Sequence, residues 1–236
     1  MHEEIQYSVR ESARARHVNL KISVQHGLEI VVPRGFDRAR IPPILERKRE
    51  WIRNARARID RQRRNAGPVT RITKPERIEL PALGESWRVE YVTLPSNSVV
   101  LRQIAPDTIR LSGAVASHSA CRMVFRRWLQ DKACALFSPM LADLDRETGL
   151  SFSNMTIRCQ TTRWASCSQH HCVSLNLKLL FLPLFQVRHI LVHELCHTRH
   201  LNHGPAFWDL VTRLDPASPE ARDAIRVAWR NLPAWI

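Results

Sequence analysis

The sequence predicts an α+β chain, on three observations. Apolar residues alternate with polar ones over 18–32 and again over 78–111, with Gly and Pro signals between the runs. Two long stretches, 37–64 and 117–145, carry apolar residues at helical spacing. A third helix follows Pro183, mostly apolar, and carries His193, Glu194 and His197 in the arrangement H-E-x-x-H.

Taken in order, Arg14 to Val32 reads as two strands. Val18, Leu20 and Ile22 alternate, Gln25-His26-Gly27 turns, and Leu28, Ile30 and Val32 alternate again. Pro33-Arg34-Gly35 ends the hairpin. Asp37 is placed to cap a helix running to about Arg64, with Pro42 and Pro43 in its first turn, where a missing N–H is tolerated. Ile41, Ile44, Leu45, Trp51, Ile52, Ala55 and Ile59 fall on one side of it and arginines elsewhere. Asn65-Ala66-Gly67-Pro68 reads as a linker.

Strands are expected at Ile78–Leu80, Trp87–Val92, Val99–Arg102 and Thr108–Leu111. A helix covers about Ser117 to Asp145, with Pro139 a point of interruption and Gly149 its stop. Phe152 to Cys159 reads as a strand, Arg163 to Ser168 as a polar loop around Trp164, and Gln169-His170-His171 as a hairpin tip. Val173 to Leu180 reads as a second strand running into Pro183. Ala206–Leu214 and Pro219–Asn231 read as helices packing behind the motif, with Phe207 and Trp208 as core anchors. The chain thus groups as 1–67, an N-terminal hairpin plus basic helix; 68–115, a strand-rich segment; and 116–236, helix, sheet and the H-E-x-x-H helix.

Charge bounds the partners. The formal net charge is +14, and residues 1–78 hold 19 Lys and Arg against 9 Asp and Glu. That asymmetry suits an anionic partner such as nucleic acid along the basic N-terminal helix, or simply a solvated basic face. No segment reaches the roughly 18 continuous apolar residues of a membrane span, so no membrane partner is expected. The opening MHEEIQYSVRESARAR lacks an apolar signal core, so a cytoplasmic location with the six cysteines reduced is expected. None of these forms C-x-x-C; Cys196, inside the motif, reads as a buried inert thiol. Cys167 and Cys172 are the weaker candidates for a second metal site, and His170 and His171 read as exposed tip residues.

On a helix, positions i and i+4 share a face, so His193 and His197 project side by side and suit two ligands on one zinc ion. Glu194 lies about 100° round the helix from His193, within reach of a metal-bound water without being a ligand. The helix is expected to end near Arg199 or His200. Asn202 and the break at Gly204-Pro205 then let the chain turn and present His203. Three histidines with one open position describe a catalytic zinc site. Metzincins share the H-E-x-x-H-x5-H spacing. Here His200 stands where their turn glycine belongs and no Met follows Met155, so a true metzincin is not expected.

RWASCS at 163–168, SLNLKLL at 174–180 and HELCHTRHLNHGPAFW at 193–208 together resemble the YgjP-like metallopeptidase family. Its usual pattern is R-W-G-S-C-S, a strand with L-N, then H-E-L-C-H-x5-H and x-x-F-W. The N-terminal hairpin, the basic helix with Trp51-Ile52 and the Leu83-Gly84 region follow the family's order. The chain departs from it at Ala165, usually glycine, and at His189, where tyrosine is common. The resemblance implies a minimal zincin-type metallopeptidase domain, with hairpin and sheet packed on the zinc helix. It implies one zinc per chain held by His193, His197 and His203, with Glu194 as base. SprT and WLM-type proteases are related, and some cut proteins crosslinked to DNA.

The reaction expected is zinc-dependent hydrolysis of peptide bonds in a protein or peptide substrate, as a metalloendopeptidase. Zinc would acidify its bound water and polarise the scissile carbonyl, and Glu194 would move the proton to the leaving amine. The tetrahedral oxyanion needs another donor, for which Arg163, His189 and His200 are the accessory candidates. A strand beside the helix would pair with extended substrate backbone. Two other readings stand beside this one: a nucleic-acid-associated protein with a structural or vestigial zinc site, and an adaptor without catalysis.

Overall fold

The computed structural model describes residues 6–13, 15–23, 27–65 and 74–236. The chain forms two compact units, 1–71 and 72–236.

In the first unit, β2 (Asn19–Ser23) and β3 (Gly27–Pro33) pair antiparallel. The expected turn residues Gln25 and His26 lie outside the described residues. A strand the apolar pattern did not signal, β1 (Ser8–Ser12), joins β3 in parallel, giving the order β1-β3-β2. The helix expected over 37–64 is divided. The Asp37 carboxylate accepts from the Ala39 amide at 2.9 Å and caps a 3-10 turn, Arg38–Arg40. Next come α1 (Ile41–Arg47), opened by its two prolines, and α2 (Arg49–Asn65), separated at Lys48. Leu28, Ile30, Val32, Ile41, Leu45 and Ile52 form this unit's core. Helical and period-two apolar positions thus meet in one small cluster.

The second unit begins with a four-stranded sheet: β4 (Arg77–Leu80), β5 (Glu85–Thr93), β6 (Val99–Ala105) and β7 (Thr108–Gly113). Its order is β4-β5-β7-β6, so β7 returns past its hairpin partner to lie parallel to β5. Next, α3 (His118–Thr148) is capped at its start by Ser117, which accepts from the Ala120 amide, and stopped by Gly149 at φ 65°. Pro139 sits inside it without ending it. Its buried residues Cys121, Phe125, Leu129, Ala133, Phe137 and Leu141 fall every fourth position. Such a row drifts about 40° round the helix per step, so successive faces are covered by different neighbours. These include β6, β8 and α4.

The segment that presents the site has β10 (Cys172–Asn176) at the centre of a three-stranded sheet. It runs parallel to β8 (Asn154–Arg158) and antiparallel to β9 (Ala165–Cys167). The expected strand to Leu180 stops at Asn176. The Asn176 amide side chain donates to the carbonyls of Gln160 and Arg163 at 3.0 and 2.9 Å, and its oxygen accepts from the Lys178 amide. That bonding turns the chain into a 3-10 segment, Leu177–Phe181, because side chain competes with ladder for the backbone.

From Pro183 the chain enters α4 (Leu184–Cys196), buried over most of its circumference. It ends earlier than expected, with His197 as its C-cap. The Thr198 amide and hydroxyl both donate to the Leu195 carbonyl, at 2.9 and 2.7 Å, and tighten the last turn. Then follow α5 (Pro205–Leu214) and α6 (Ser218–Ala228), both with proline in the first turn. No helix among the described residues is long and apolar enough to cross a membrane.

Candidate metal centre

The helical spacing of His193 and His197 sets their ring centroids 5.0 Å apart. The chain leaves α4 through Thr198–Asn202 and, before Pro205 starts α5, carries His203 back over them. His203 Nε2 lies 3.0 Å from His193 Nε2. One ring nitrogen from each of His193, His197 and His203 falls within 4.8 Å of the other two. Two nitrogens on one tetrahedral zinc at about 2.0–2.1 Å stand roughly 3.3 Å apart, so this donor set fits a single zinc ion. Among the described residues no other group of three such side chains forms; Cys167, Cys172, His170 and His171 join none.

Two further observations agree with that fit. The Nδ1–H of His197 donates to the His200 carbonyl at 3.0 Å, which leaves Nε2 with its lone pair free. Burial, joined by the neighbouring His197 and His203 rings, pushes His193 down to about 3, and burial lowers His197 as well. His193 and His197 therefore resist protonation, as imidazole ligands must.

Phe207 holds the rings from beneath. It is fully buried, stacks on His197 at 4.6 Å between centroids, and meets His193 and His203 edge-on at 4.9 and 4.8 Å. Trp208, expected as a core anchor, packs partly buried against the core; it also stacks on the exposed His203 at 5.6 Å and lines a cavity.

Glu194 is 7 % exposed and its Oε2 has no hydrogen-bond partner. Burial pushes its carboxyl up to about 7, against the opposing pull of the Cys167 backbone amide and the Arg163 guanidinium. A buried carboxylate oxygen left unpaired is costly unless a ligand or water completes it.

Residues 16–227 match the family described as YgjP-like, metallopeptidase domain. The chain belongs to the YgjP-like metallopeptidase family. Among solved structures, it is similar to the metallopeptidase zymogen of Pyrococcus abyssi abylysin. The identity is 24 %, the match covers 38 % of this chain and 91 % of that one, and the TM-score is 0.35, too low to carry an argument. No curated protein matches.

In this YgjP-like metallopeptidase the three accessory candidates take different places. Arg163 is exposed, and its charge acts on Glu194 from the loop before β9. His200 contributes its main-chain carbonyl, the acceptor that orients His197. His189 is buried one turn before His193, and its Nδ1–H donates to the Asp215 carboxylate at 2.7 Å.

A cavity of about 350 Å³ opens beside His193 and Glu194. Trp164, Ile190, Trp208, Ile225, Arg222 and Arg226 supply its other principal walls. Trp164 is buried, stacked on Trp229 at 4.2 Å, and its Nε1 has no partner. The sequence did not single out Asp215, Arg222 or Arg226. They lie 18 to 29 positions after His197, Asp215 at the end of α5 and both arginines on α6, and nothing local marks them.

Proposed function

We propose that this chain is a zinc-dependent metalloendopeptidase, cutting peptide bonds at the centre formed by His193, His197 and His203. The observation that carries the reading is the meeting of three imidazole nitrogens within 4.8 Å beside a buried carboxylate with an unpaired oxygen. When bound, zinc supplies Lewis acidity and lowers the pKa of water towards neutrality.

The chain's own residues do the rest. Glu194 takes the proton of the attacking water at its free Oε2 and passes it to the leaving amine. The His200 carbonyl fixes the tautomer and direction of His197, and Phe207 keeps the three rings from turning away. β9 pairs with β10 on one side, packs near α4, and among the described residues has no strand on its other edge. An extended substrate adds there as a further strand, held by main-chain hydrogen bonds that read little side-chain sequence.

Glu194→Gln tests the reading. The variant keeps zinc and loses peptide cleavage by about two orders of magnitude or more, the usual worth of a positioned acid–base. Cleavage at the parent rate by a zinc-loaded Glu194→Gln protein would remove Glu194 from the mechanism, and absence of cleavage by the zinc-loaded parent chain would leave it an adaptor or binding protein.

A further inference from the structure

The cavity beside the metal centre has an electrostatic character that the hydrolytic reading does not use. Glu194 is its one lining carboxylate, and it is committed to proton transfer. Arg222 and Arg226 supply its fixed positive charge from successive turns of α6. Arg222 makes no ion pair among the described residues; its guanidinium lies 3.9 Å over the Trp208 ring, which positions it without neutralising it. Arg226 has Asp223 at 3.7 Å, but both side chains are more than 80 % exposed, so that pair is weak and solvated. The other nearby acid, Asp215, is occupied by His189 at 2.7 Å.

The walls between these charges are flat and apolar: Trp164, Trp208, Ile190 and Ile225. Trp164 is buried, and its Nε1–H has no acceptor among the described residues. A Lys or Arg side chain here would meet two guanidiniums. A purely apolar side chain would offer neither exposed guanidinium a partner in place of water. A carboxylate on a short apolar stem satisfies both the walls and the charges, and a planar guanidinium pairs with it through two parallel hydrogen bonds.

We propose that this cavity is a substrate subsite for a carboxylate, held by Arg222 with Arg226 in support, next to the bond that is cut. The inference rests on the peptidase reading above and adds a substrate class to it. The carboxylate has two sources: an acidic side chain, Glu or Asp, within the peptide, or the free C-terminus of a short product-side segment.

The experiment uses the zinc-loaded full chain and four matched peptides. Three have both ends blocked and differ only in Glu, Gln or Lys beside the cut bond; the fourth is the Gln peptide with a free C-terminal carboxylate. Glu over Gln by about tenfold or more in kcat/KM is expected, the scale of a hydrogen bond to a charged group. Free acid over blocked peptide by a similar factor would assign the C-terminus as the source. In Arg222→Gln the carboxylate-to-amide ratio falls towards one, and in Arg222→Glu the Lys peptide becomes the favoured member. Calorimetry with the Glu194→Gln protein reads binding of the same peptides in the same order, independently of turnover.

Equal rates and equal binding for Glu, Gln and free-acid peptides overturn the subsite while leaving the peptidase intact. A carboxylate preference that survives in a folded Arg222→Gln, Arg226→Gln protein also overturns it. Carboxylate-selective binding without cleavage of any peptide overturns the peptidase reading and keeps the subsite.

Discussion

His189 Nδ1 donates to Asp215 Oδ2 at 2.7 Å, and both residues are buried. This bond ties the middle of α4, one turn before His193, to the C-cap of α5. The helix that presents His193 and His197 and the helix that carries Phe207 and Trp208 are therefore fixed to each other by a polar contact as well as by packing. Asp215→Ala leaves a buried imidazole donor without an acceptor and is expected to lower stability by about 1–3 kcal/mol. Asp215→Asn keeps an acceptor and should lose less. Thermal unfolding of the two variants checks this; equal losses would show that the bond itself contributes nothing.

Phe207 touches all three histidine rings, at 4.6 to 4.9 Å between centroids. Truncation to Ala removes a fully buried ring and costs about 3–5 kcal/mol by loss of transfer energy and creation of a cavity. It also frees the imidazoles to turn, so zinc affinity should fall alongside stability. Chelator competition on Phe207→Leu, which keeps most of the volume, separates the two effects: weakened zinc binding in a protein of near-parent stability is expected.

How much of this was legible in sequence follows from range. The spacing of His193, Glu194 and His197 is a property of one helix, and the break at Gly204-Pro205 flags the turn that returns His203. The structure brings these four side chains together. Asp215, Trp164 and Arg222 reach the same place only through tertiary packing of α5, α6 and the loop before β9, and no local pattern encodes that. Strand β1 was missed because SVRES has one apolar residue, and its pairing is supplied by β3. The strand limit at Asn176 was missed because its side-chain bonds, not apolar spacing, end it.

The thiols differ sharply in exposure. Cys134 and Cys172 are exposed, while Cys121 and Cys196 are buried. Burial pushes the Cys196 thiol up to about 12, so at pH 8 it holds almost no thiolate, the reactive form. Alkylation followed by mass spectrometry should label Cys134 and Cys172 in the native protein and Cys121 and Cys196 only after denaturation. Rapid native labelling of Cys196, beside His197, would contradict the packing of α4.

Gly113, at the end of β7, has φ 112°, and a Cβ there would stand 2.0 Å from the Ser98 carbonyl oxygen. The obstacle is backbone, which cannot swing aside. Gly113→Ala should therefore destabilise the four-stranded sheet by about 1–3 kcal/mol or more, read as a lowered unfolding midpoint. The same change at Gly84, where an added Cβ would meet nothing beyond its chain neighbours within 4 Å, meets only the strain of its φ of 64° and should cost less.

The metal content of the purified chain tests the central claim most directly. Elemental analysis should return about one zinc for each wild-type chain and a folded His203→Ala protein that has lost most of it, since three protein ligands define the site. Wild-type protein that is fully folded and free of metal after incubation with zinc, or undiminished zinc in His203→Ala, would contradict the three-imidazole centre.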